Sequence, residues 1–352
     1  MLILGIETSC DETAAALVKD GSVIVSSVLS SSQDLHKKTG GVIPEQAARE
    51  QIKCIIPVLQ ETFNQAFGKQ KLSKTVKKID ALAVTYGPGL VGSLLVGIET
   101  AKTLSWLWNK PLIPVNHLIA HLYANWLEND KLPFIKKGEQ IFPALCLVVS
   151  GGHTDLVLMK NHGDFSYLGG TRDDAAGEAF DKTARLLGLS GFMGGPAIAA
   201  AAATFKNNAK IKINLPRPMI NSQDLDFSFS GLKTAVLNQV KNLEKNNLLE
   251  TETTNAFAFE IQEAVTDVFE KKIALAINKF SPKAFLMAGG VSANLVLREK
   301  LKKTCEKNQV KFFVPPIFLC TDNASYIAGS AYFNFHPKKL AEISAQPSVE
   351  II

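Results

Sequence analysis

Leu2-Ile3-Leu4-Gly5-Ile6-Glu7-Thr8-Ser9-Cys10-Asp11-Glu12-Thr13-Ala14-Ala15-Ala16-Leu17-Val18 decides the fold of this 352-residue chain, because the same plan returns after residue 140. Leu2 to Glu7 and Thr13 to Val18 read as apolar strands, and Thr8 to Glu12 between them is small, hydroxyl-bearing and acidic. Pro143 to Ser150 and Asp155 to Met159 repeat the arrangement around Ser150-Gly151-Gly152-His153-Thr154, so each turn ends on a threonine, Thr13 or Thr154. A repeated strand, polar turn and strand is the trace of a duplicated α/β unit, two similar halves facing each other across a cleft. The Thr8–Glu12 turn itself admits two readings: backbone N–H groups and carboxylates (Asp11, Glu12) directed at a phosphate or its metal ion, or an ordinary polar hairpin.

Outward from the first hairpin, Lys19-Asp20-Gly21-Ser22 turns into a third strand, Val23 to Leu29. A loop carrying Thr39-Gly40-Gly41 precedes helical periodicity from Pro44 to Phe67, and Lys69 to Lys78 reads as a basic connector. Ile79 to Thr85 is a strand ending in Gly87-Pro88-Gly89-Leu90-Val91-Gly92-Ser93, a turn into a helix that reaches Trp108. No Gly-Lys-Ser/Thr follows, so it is not a P-loop. Pro111 to Val115 is the next strand. In the second half, Asp173 to Leu187, the residues after Gly194, those after Gly231 and Thr254 to Phe280 read as helices, with Asn214 to Ser230 irregular. Lys283 to Ala288 is a buried-type strand running into Gly289-Gly290-Val291-Ser292-Ala293-Asn294. Paired glycines there permit close approach of a nucleotide, Asn294 offers it an amide, and Ser292 is the expected N-cap of a helix to Lys307. Val310 to Pro315 is the last strand. The expected division is an N-terminal lobe over 1–130 and a C-terminal lobe over 131–345 with a helical insertion over about 175–280.

Hydrophobic residues make up 46% and charged residues 20%, the balance of a globular chain without low-complexity blocks. A net charge of +5 permits nucleic-acid binding without announcing it. Cys10, Cys54, Cys146, Cys305 and Cys320 are scattered and never in C-x-x-C spacing, which fits a reducing cytosol and excludes a zinc ribbon. With no basic leader and no uncharged stretch of spanning length, the expected location is cytoplasmic, with no membrane.

After the strand ending at Val115 comes Asn116-His117-Leu118-Ile119-Ala120-His121. Imidazoles four residues apart share a helix face and can converge on one divalent ion; alternatively one packs and the other is solvated. The insert Leu-Ile-Ala lacks the Glu of the zinc-peptidase H-E-x-x-H, so an ion here has no adjacent base and is suited to holding a substrate. Asp322, in Cys320-Thr321-Asp322-Asn323-Ala324, is the distant carboxylate that would complete a two-His, one-Asp triad.

The motifs GIETSCDET (5–13), GPGLVGSLLVG (87–97), HLIAH (117–121), VSGGHT (149–154), DDAAGEAFDK (173–182), LDFSFSGLKT (225–234), MAGGVSAN (287–294) and CTDNA (320–324) together resemble the tRNA N6-adenosine threonylcarbamoyltransferase family, bacterial branch, over essentially the whole chain. The resemblance implies an α/β fold of the actin-like ATPase (ASKHA, duplicated ribonuclease-H-like) type, with two lobes around a nucleotide cleft. It implies an acyltransferase that moves threonylcarbamoyl from threonylcarbamoyl-AMP to N6 of adenosine 37 in tRNAs reading codons that begin with A. His117, His121 and Asp322 would bind one metal, iron(II), with Zn2+ or Mg2+ as stand-ins in vitro. Val148, Val149, Ser150, Gly151, Gly152, Asp181, Gly195 and Asn294 would line the substrate, with Asp11 and Glu12 on the phosphate side. The partners implied are tRNA, an inactive paralogue of the same fold and a small P-loop ATPase. The chain departs from its relatives at Ala199, in an alanine run where they often carry a polar residue, and at Asn116, where some have a second histidine.

No catalytic base is assigned; Asp11, Glu12 and His153 are the candidates, His153 with a structural role in its turn as the alternative. Rival functions are a zinc peptidase, a small-molecule kinase or ATPase of the same fold, and a silent paralogue. The last should have lost a member of the triad, and this chain keeps all three.

Overall fold

The structure is a computed structural model that describes residues 1–39, 41–190, 193–205, 213–245 and 250–352. Gly40, in the loop expected before the first long helix, lies outside the described residues. In chain order the elements are β1 (Leu2–Glu7), β2 (Glu12–Lys19), β3 (Val23–Ser31), α1 (Gln33–Thr39), α2 (Pro44–Phe67), α3 (Leu72–Val76), β4 (Ala81–Gly87), α4 (Val91–Trp108), β5 (Leu112–Asn116) and α5 (His117–Tyr123). They continue with β6 (Ala144–Val149), β7 (Thr154–Asn161), β8 (Asp164–Gly170), α6 (Ala176–Leu186), α7 (Gly194–Thr204), α8 (Ser230–Lys245), α9 (Thr251–Phe280), β9 (Ala284–Ala288), α10 (Leu295–Lys307), β10 (Lys311–Phe313) and α11 (Ser325–Phe333).

The repeat seen in the sequence is a repeat of topology. One five-stranded sheet runs β3-β2-β1-β4-β5 and the other β10-β9-β6-β7-β8, which is the same order traced from the opposite edge. In each, a hairpin pairs antiparallel (β1 with β2, β6 with β7) and the first strand of the hairpin then pairs parallel with a strand that arrives later (β4, β9). Asp20 and Gly21 both take positive φ (53° and 78°), the geometry that lets a two-residue turn follow the twist of β2 and β3.

Contacts divide the chain into one compact unit of Met1–Glu139 with Phe313–Ile352 and a second of Gln140–Phe312. This differs from the expected lobe boundaries of 1–130 and 131–345, because residues 313–345 of that expectation return to the first unit. There α11 packs on β1, β2 and β5. Strand alternation sorts the first unit's core into two layers. Leu4, Ile6, Ala15 and Leu17 face Ile55, Val58 and Leu59 of α2 and Leu94 and Ile98 of α4. Ile3, Val18, Ala81 and Val115 face Ala120 of α5 and Ile327 and Ala328 of α11. Gly5 makes the second layer close: a Cβ there would stand 2.4 Å from Ala324 O and 2.9 Å from Ala328 N, so only a glycine lets the start of α11 lie against β1.

Other expectations are corrected locally. The Lys69–Lys78 connector contains α3, and α1 and β8 were not expected at all. Asp173 does not start a helix; its carboxylate accepts from Phe229 N and from the hydroxyls of Ser228 and Ser230, tying the irregular stretch down, and α6 begins at Ala176. Ser292 is not the N-cap of α10. Gly289, at φ 91°, leads into a 3-10 turn over Gly290–Ala293 in which Ser292 Oγ donates to Gly289 O, and Asn294 takes the cap.

Candidate functional site

In the first unit β5 delivers α5 through Asn116, whose Oδ1 accepts from Leu118 N (2.9 Å) and Ile119 N (3.2 Å). Asn116 is therefore a full N-cap, and the helix start is well satisfied. The cap fixes the first turn, so His117 and His121 fall on one face with Nε2 atoms 3.2 Å apart. Asp322, just before α11, brings Oδ1 to 3.5 Å from His117 Nε2 and 3.4 Å from His121 Nε2. Asn323 Oδ1 accepts from Ser325 N and holds that turn.

These spacings test whether a metal fits. Donor atoms about 2.1 Å from one ion stand about 3.0 Å apart at right angles and about 3.4 Å apart at the tetrahedral angle. The triangle of 3.2, 3.4 and 3.5 Å accommodates an ion with little movement, and two imidazoles with one carboxylate suit a divalent transition metal. Among the described residues it is the one cluster of His, Cys, Asp or Glu side chains with this convergence.

The triad has a partner that spacing did not reveal. Glu7, at the end of β1, is fully buried. Its Oε2 lies 3.0 Å from His117 Nδ1 and accepts from Thr85 Oγ1 (2.5 Å), while Oε1 accepts from Ser9 N (2.5 Å). Tyr326 closes the far side, with its ring 4.6 Å from that of His121 and its hydroxyl donating to Asp322 Oδ1 at 3.4 Å. Burial pushes the Glu7 carboxyl upward, but the His117 charge outweighs it and leaves it below its ordinary value. Asp322 is depressed by the same balance of burial against His117 and His121. His117 resists burial because Glu7 and Asp322 flank it, and is raised to about 9, whereas burial and the His117 charge lower His121. A proton on His117 would offset only one of the two carboxylate charges beside it.

The Thr8–Glu12 turn is pinned from below. Gln51 of α2 donates Nε2 to the carbonyls of Thr8, Cys10 and Glu12, and Ser93 of α4 donates to Cys10 O. Glu12 is buried, with Oε1 taking Ser31 Oγ and Gln33 Nε2 and Oε2 without a hydrogen-bond partner; burial raises its carboxyl to about 7. The Asp11 carbonyl accepts from Ser32 Oγ.

The second unit gathers most of the expected substrate residues at the ends of β6 and β9. Val148 and Val149 are buried, which leaves only their backbone for the role expected of them. Gly289 lies so close that a Cβ would stand 2.4 Å from Val149 O. Ser150 N donates to His153 O and Ser150 Oγ accepts from His153 N, closing a tight turn with Gly151 and Gly152 exposed. The start of α6 abuts it, with Ala176 N on Thr154 Oγ1 and Gly177 N on Ser150 O. Asp181 accepts from Gly194 N at 2.5 Å and from the Gly195 backbone, which ties α6 to the start of α7, where Ala199 is half-buried. Asn294 is already engaged on both sides: Oδ1 accepts from Leu297 N and Nδ2 donates to Gln262 Oε1.

A sequence profile described as tRNA N6-adenosine threonylcarbamoyltransferase matches residues 23–329. The chain belongs to that family. It is 48% identical to the tRNA N6-adenosine threonylcarbamoyltransferase of Thermomicrobium roseum over 95% of this chain and 92% of that one. To the Bacillus subtilis protein of the same name it is 44% identical over 100% and 96%. Family membership makes the chain an acyltransferase of tRNA modification, and the peptidase reading, already short of a base between the histidines, falls away. Among solved structures, T. kodakarensis HypF aligns with a TM-score of 0.58 at 13% identity, covering 95% of this chain and 47% of that one. Component A of the (R)-2-hydroxyglutaryl-CoA dehydratase of Acidaminococcus fermentans aligns at 0.51 with 17% identity, covering 95% and 98%. These likenesses concern the fold alone and agree with the duplicated α/β, actin-like architecture.

Proposed function

We propose that this chain transfers threonylcarbamoyl from threonylcarbamoyl-AMP to N6 of adenosine 37 in tRNAs reading codons that begin with A, with one divalent metal, iron(II), held by His117, His121 and Asp322. The observation that carries the reading is the triangle of 3.2, 3.4 and 3.5 Å in a chain of this family. When bound, the metal supplies a Lewis-acidic anchor for oxygen atoms of the donor.

The remaining chemistry asks little covalent work of the chain. The adenine amine adds to the carbonyl of the mixed anhydride, AMP departs with its phosphate, and the nitrogen gives up a proton, so positioning and charge stabilisation dominate. Gly151, Gly152 and Gly290 have open space where a Cβ would stand, which supports the Ser150–Gly152 turn and the Gly289-Gly290 pair as backbone cradles for the adenylate. Val148, Val149, Asp181, Gly195 and Asn294 shape that surface, Asn294 through the α10 N-terminus that it caps. Of the three candidate bases, Asp11, Glu12 and His153, Glu12 has a proton affinity suited to neutral pH.

The family's working partners, an inactive paralogue of the same fold and a small P-loop ATPase, are part of the proposal, as is a cytoplasmic location; no helix among the described residues is long and apolar enough to cross a membrane. Docking of tRNA would use exposed lysines such as Lys69, Lys71, Lys74, Lys77 and Lys78, or Lys241 and Lys245. The test is purified chain with those partners, threonylcarbamoyl-AMP and unmodified tRNA, read by nucleoside mass spectrometry. Absence of the modified nucleoside with metal-loaded protein overturns it.

A further inference from the structure

A carboxylate without solvent is costly unless its lone pairs are matched, and apolar replacement of such groups is often harmless to stability. Glu7 is 0% exposed, ends an otherwise apolar strand, and has both oxygens engaged: Oε1 by Ser9 N, Oε2 by Thr85 Oγ1 and His117 Nδ1. Two donors from the chain hold it in place, and the remaining direction points at one atom of one imidazole. His121 has no such support, since its Nδ1 is buried without a hydrogen-bond partner. Its ring is held by contact instead, 4.6 Å from the rings of both His117 and Tyr326. The two histidines of the triad are therefore oriented by different means.

We propose that Glu7 is a positioning residue of the metal site: it accepts the Nδ1–H of His117, fixes the tautomer whose Nε2 lone pair faces His121 and Asp322, and supplies the second negative charge that balances a divalent ion. The inference rests on the reading of His117, His121 and Asp322 as metal ligands. A carboxylate on the far nitrogen makes the near nitrogen a better donor, and loss of such a partner lowers metal affinity roughly 10- to 100-fold. Asp322 and Glu7 together carry two negative charges, so a divalent ion leaves the buried cluster neutral with both imidazoles uncharged. Ser9 Oγ, 3.3 Å from the same Nδ1, is the weaker contact, and it carries no charge.

The experiment uses the full chain with Zn2+ as probe. Affinity is measured by competition with a chelating dye for the unaltered protein and for Glu7→Gln, which keeps the shape and removes the charge. The expected result is a 10- to 100-fold weaker Kd for the variant with an unchanged circular dichroism spectrum. A second readout needs no variant: imidazole 15N spectra of the zinc-loaded protein should show His117 coordinating through Nε2 with its Nδ1 protonated. Equal affinity in a folded Glu7→Gln variant, or coordination of His117 through Nδ1, overturns the inference and leaves the metal site standing. If the unaltered protein takes up no Zn2+, the metal reading falls and this inference with it. Should Glu7→Gln fail to fold, the 15N spectra decide alone.

Discussion

His121 Nε2 and Asp322 Oδ1 stand 3.4 Å apart although one lies on a helix that follows β5 and the other on a turn leading into the last helix. They are brought together because α5 and α11 pack directly on each other. If the proposed metal reading holds, replacing His121 by alanine removes one of three ligands, so metal content after desalting should fall to background. The fold should survive, and thermal unfolding should become indifferent to added metal. In the unaltered protein, free metal at about one hundred times Kd should add about 2.7 kcal/mol of stability. Full metal retention in His121→Ala would return the histidines to a packing role.

Glu12 should make stability fall with rising pH. Its folded value of about 7 lies above the ordinary 4.5, so between those values the native state keeps a proton that the unfolded chain has released. The contribution is neutral below about 4.5 and fully unfavourable above about 7. In Glu12→Gln that segment of the stability profile should flatten, as urea midpoints at half-unit pH intervals would reveal. An unchanged slope would mean that the folded carboxyl titrates normally.

Asn294 separates architecture from ligand contact. With Oδ1 capping α10 and Nδ2 on Gln262, Asn294→Ala should cost about 0.5–2 kcal/mol of stability through the lost cap. Asn294→Asp keeps a capping oxygen and should recover most of it. Metal content should match the unaltered protein in both variants. A nucleotide titration in which Asp restores stability and AMP binding together would tie the nucleotide to the helix start; one in which stability alone returns would assign the amide a direct contact.

Gly5 should be intolerant of even one methyl group. Gly5→Ala places a carbon against the backbone of Ala324 and Ala328, where no flexible side chain can yield. Displacement of α11 from β1 should cost about 1–3 kcal/mol and weaken metal binding through Asp322, whose turn begins that helix. Normal stability together with normal metal affinity would show that the layers have more slack than the 2.4 Å approach implies.

Binding of tRNA should weaken steeply with salt if the exposed lysines of residues 69–78 or Lys241 and Lys245 neutralise phosphates. Filter binding at several salt concentrations gives the slope, and charge-removing variants at either cluster should reduce it. A flat salt profile would indicate recognition of tRNA shape, or a surface supplied by a partner.

What the sequence disclosed follows from which forces act locally. The two hairpins were readable because short apolar strands alternate with small polar turns, and the H-x3-H pair was readable because helical spacing is itself a geometric statement. β8 escaped notice because it is an edge strand with a half-polar face, Asp164 to Gly170, buried only at Gly169 and Gly170. α1 is short and polar, and helix propensity carries little signal over seven residues. Ser292 and Asn294 are both good capping residues; the positive φ of Gly289 decides between them, and φ is not written in residue types. Glu7 gave no hint of its part, since an acid at a strand end is ordinary until the histidine it faces arrives from more than one hundred positions away.

The first unit is built from two separate lengths of chain, Met1–Glu139 and Phe313–Ile352, with the second unit spliced between them. A ribosome releases these in order, so the nascent chain presents β1, β5 and both histidines long before the residue that completes their triad exists. Until α11 emerges, the face of the sheet formed by Ile3, Ala81 and Val115 has only the part of its cover that α5 supplies. The second unit is uninterrupted in sequence, so all of it precedes Asp322 in synthesis. The proposed metal site is consequently completed only after the whole second unit has been synthesised, and a chain cut short before Asp322 would have both imidazoles without the carboxylate that faces them.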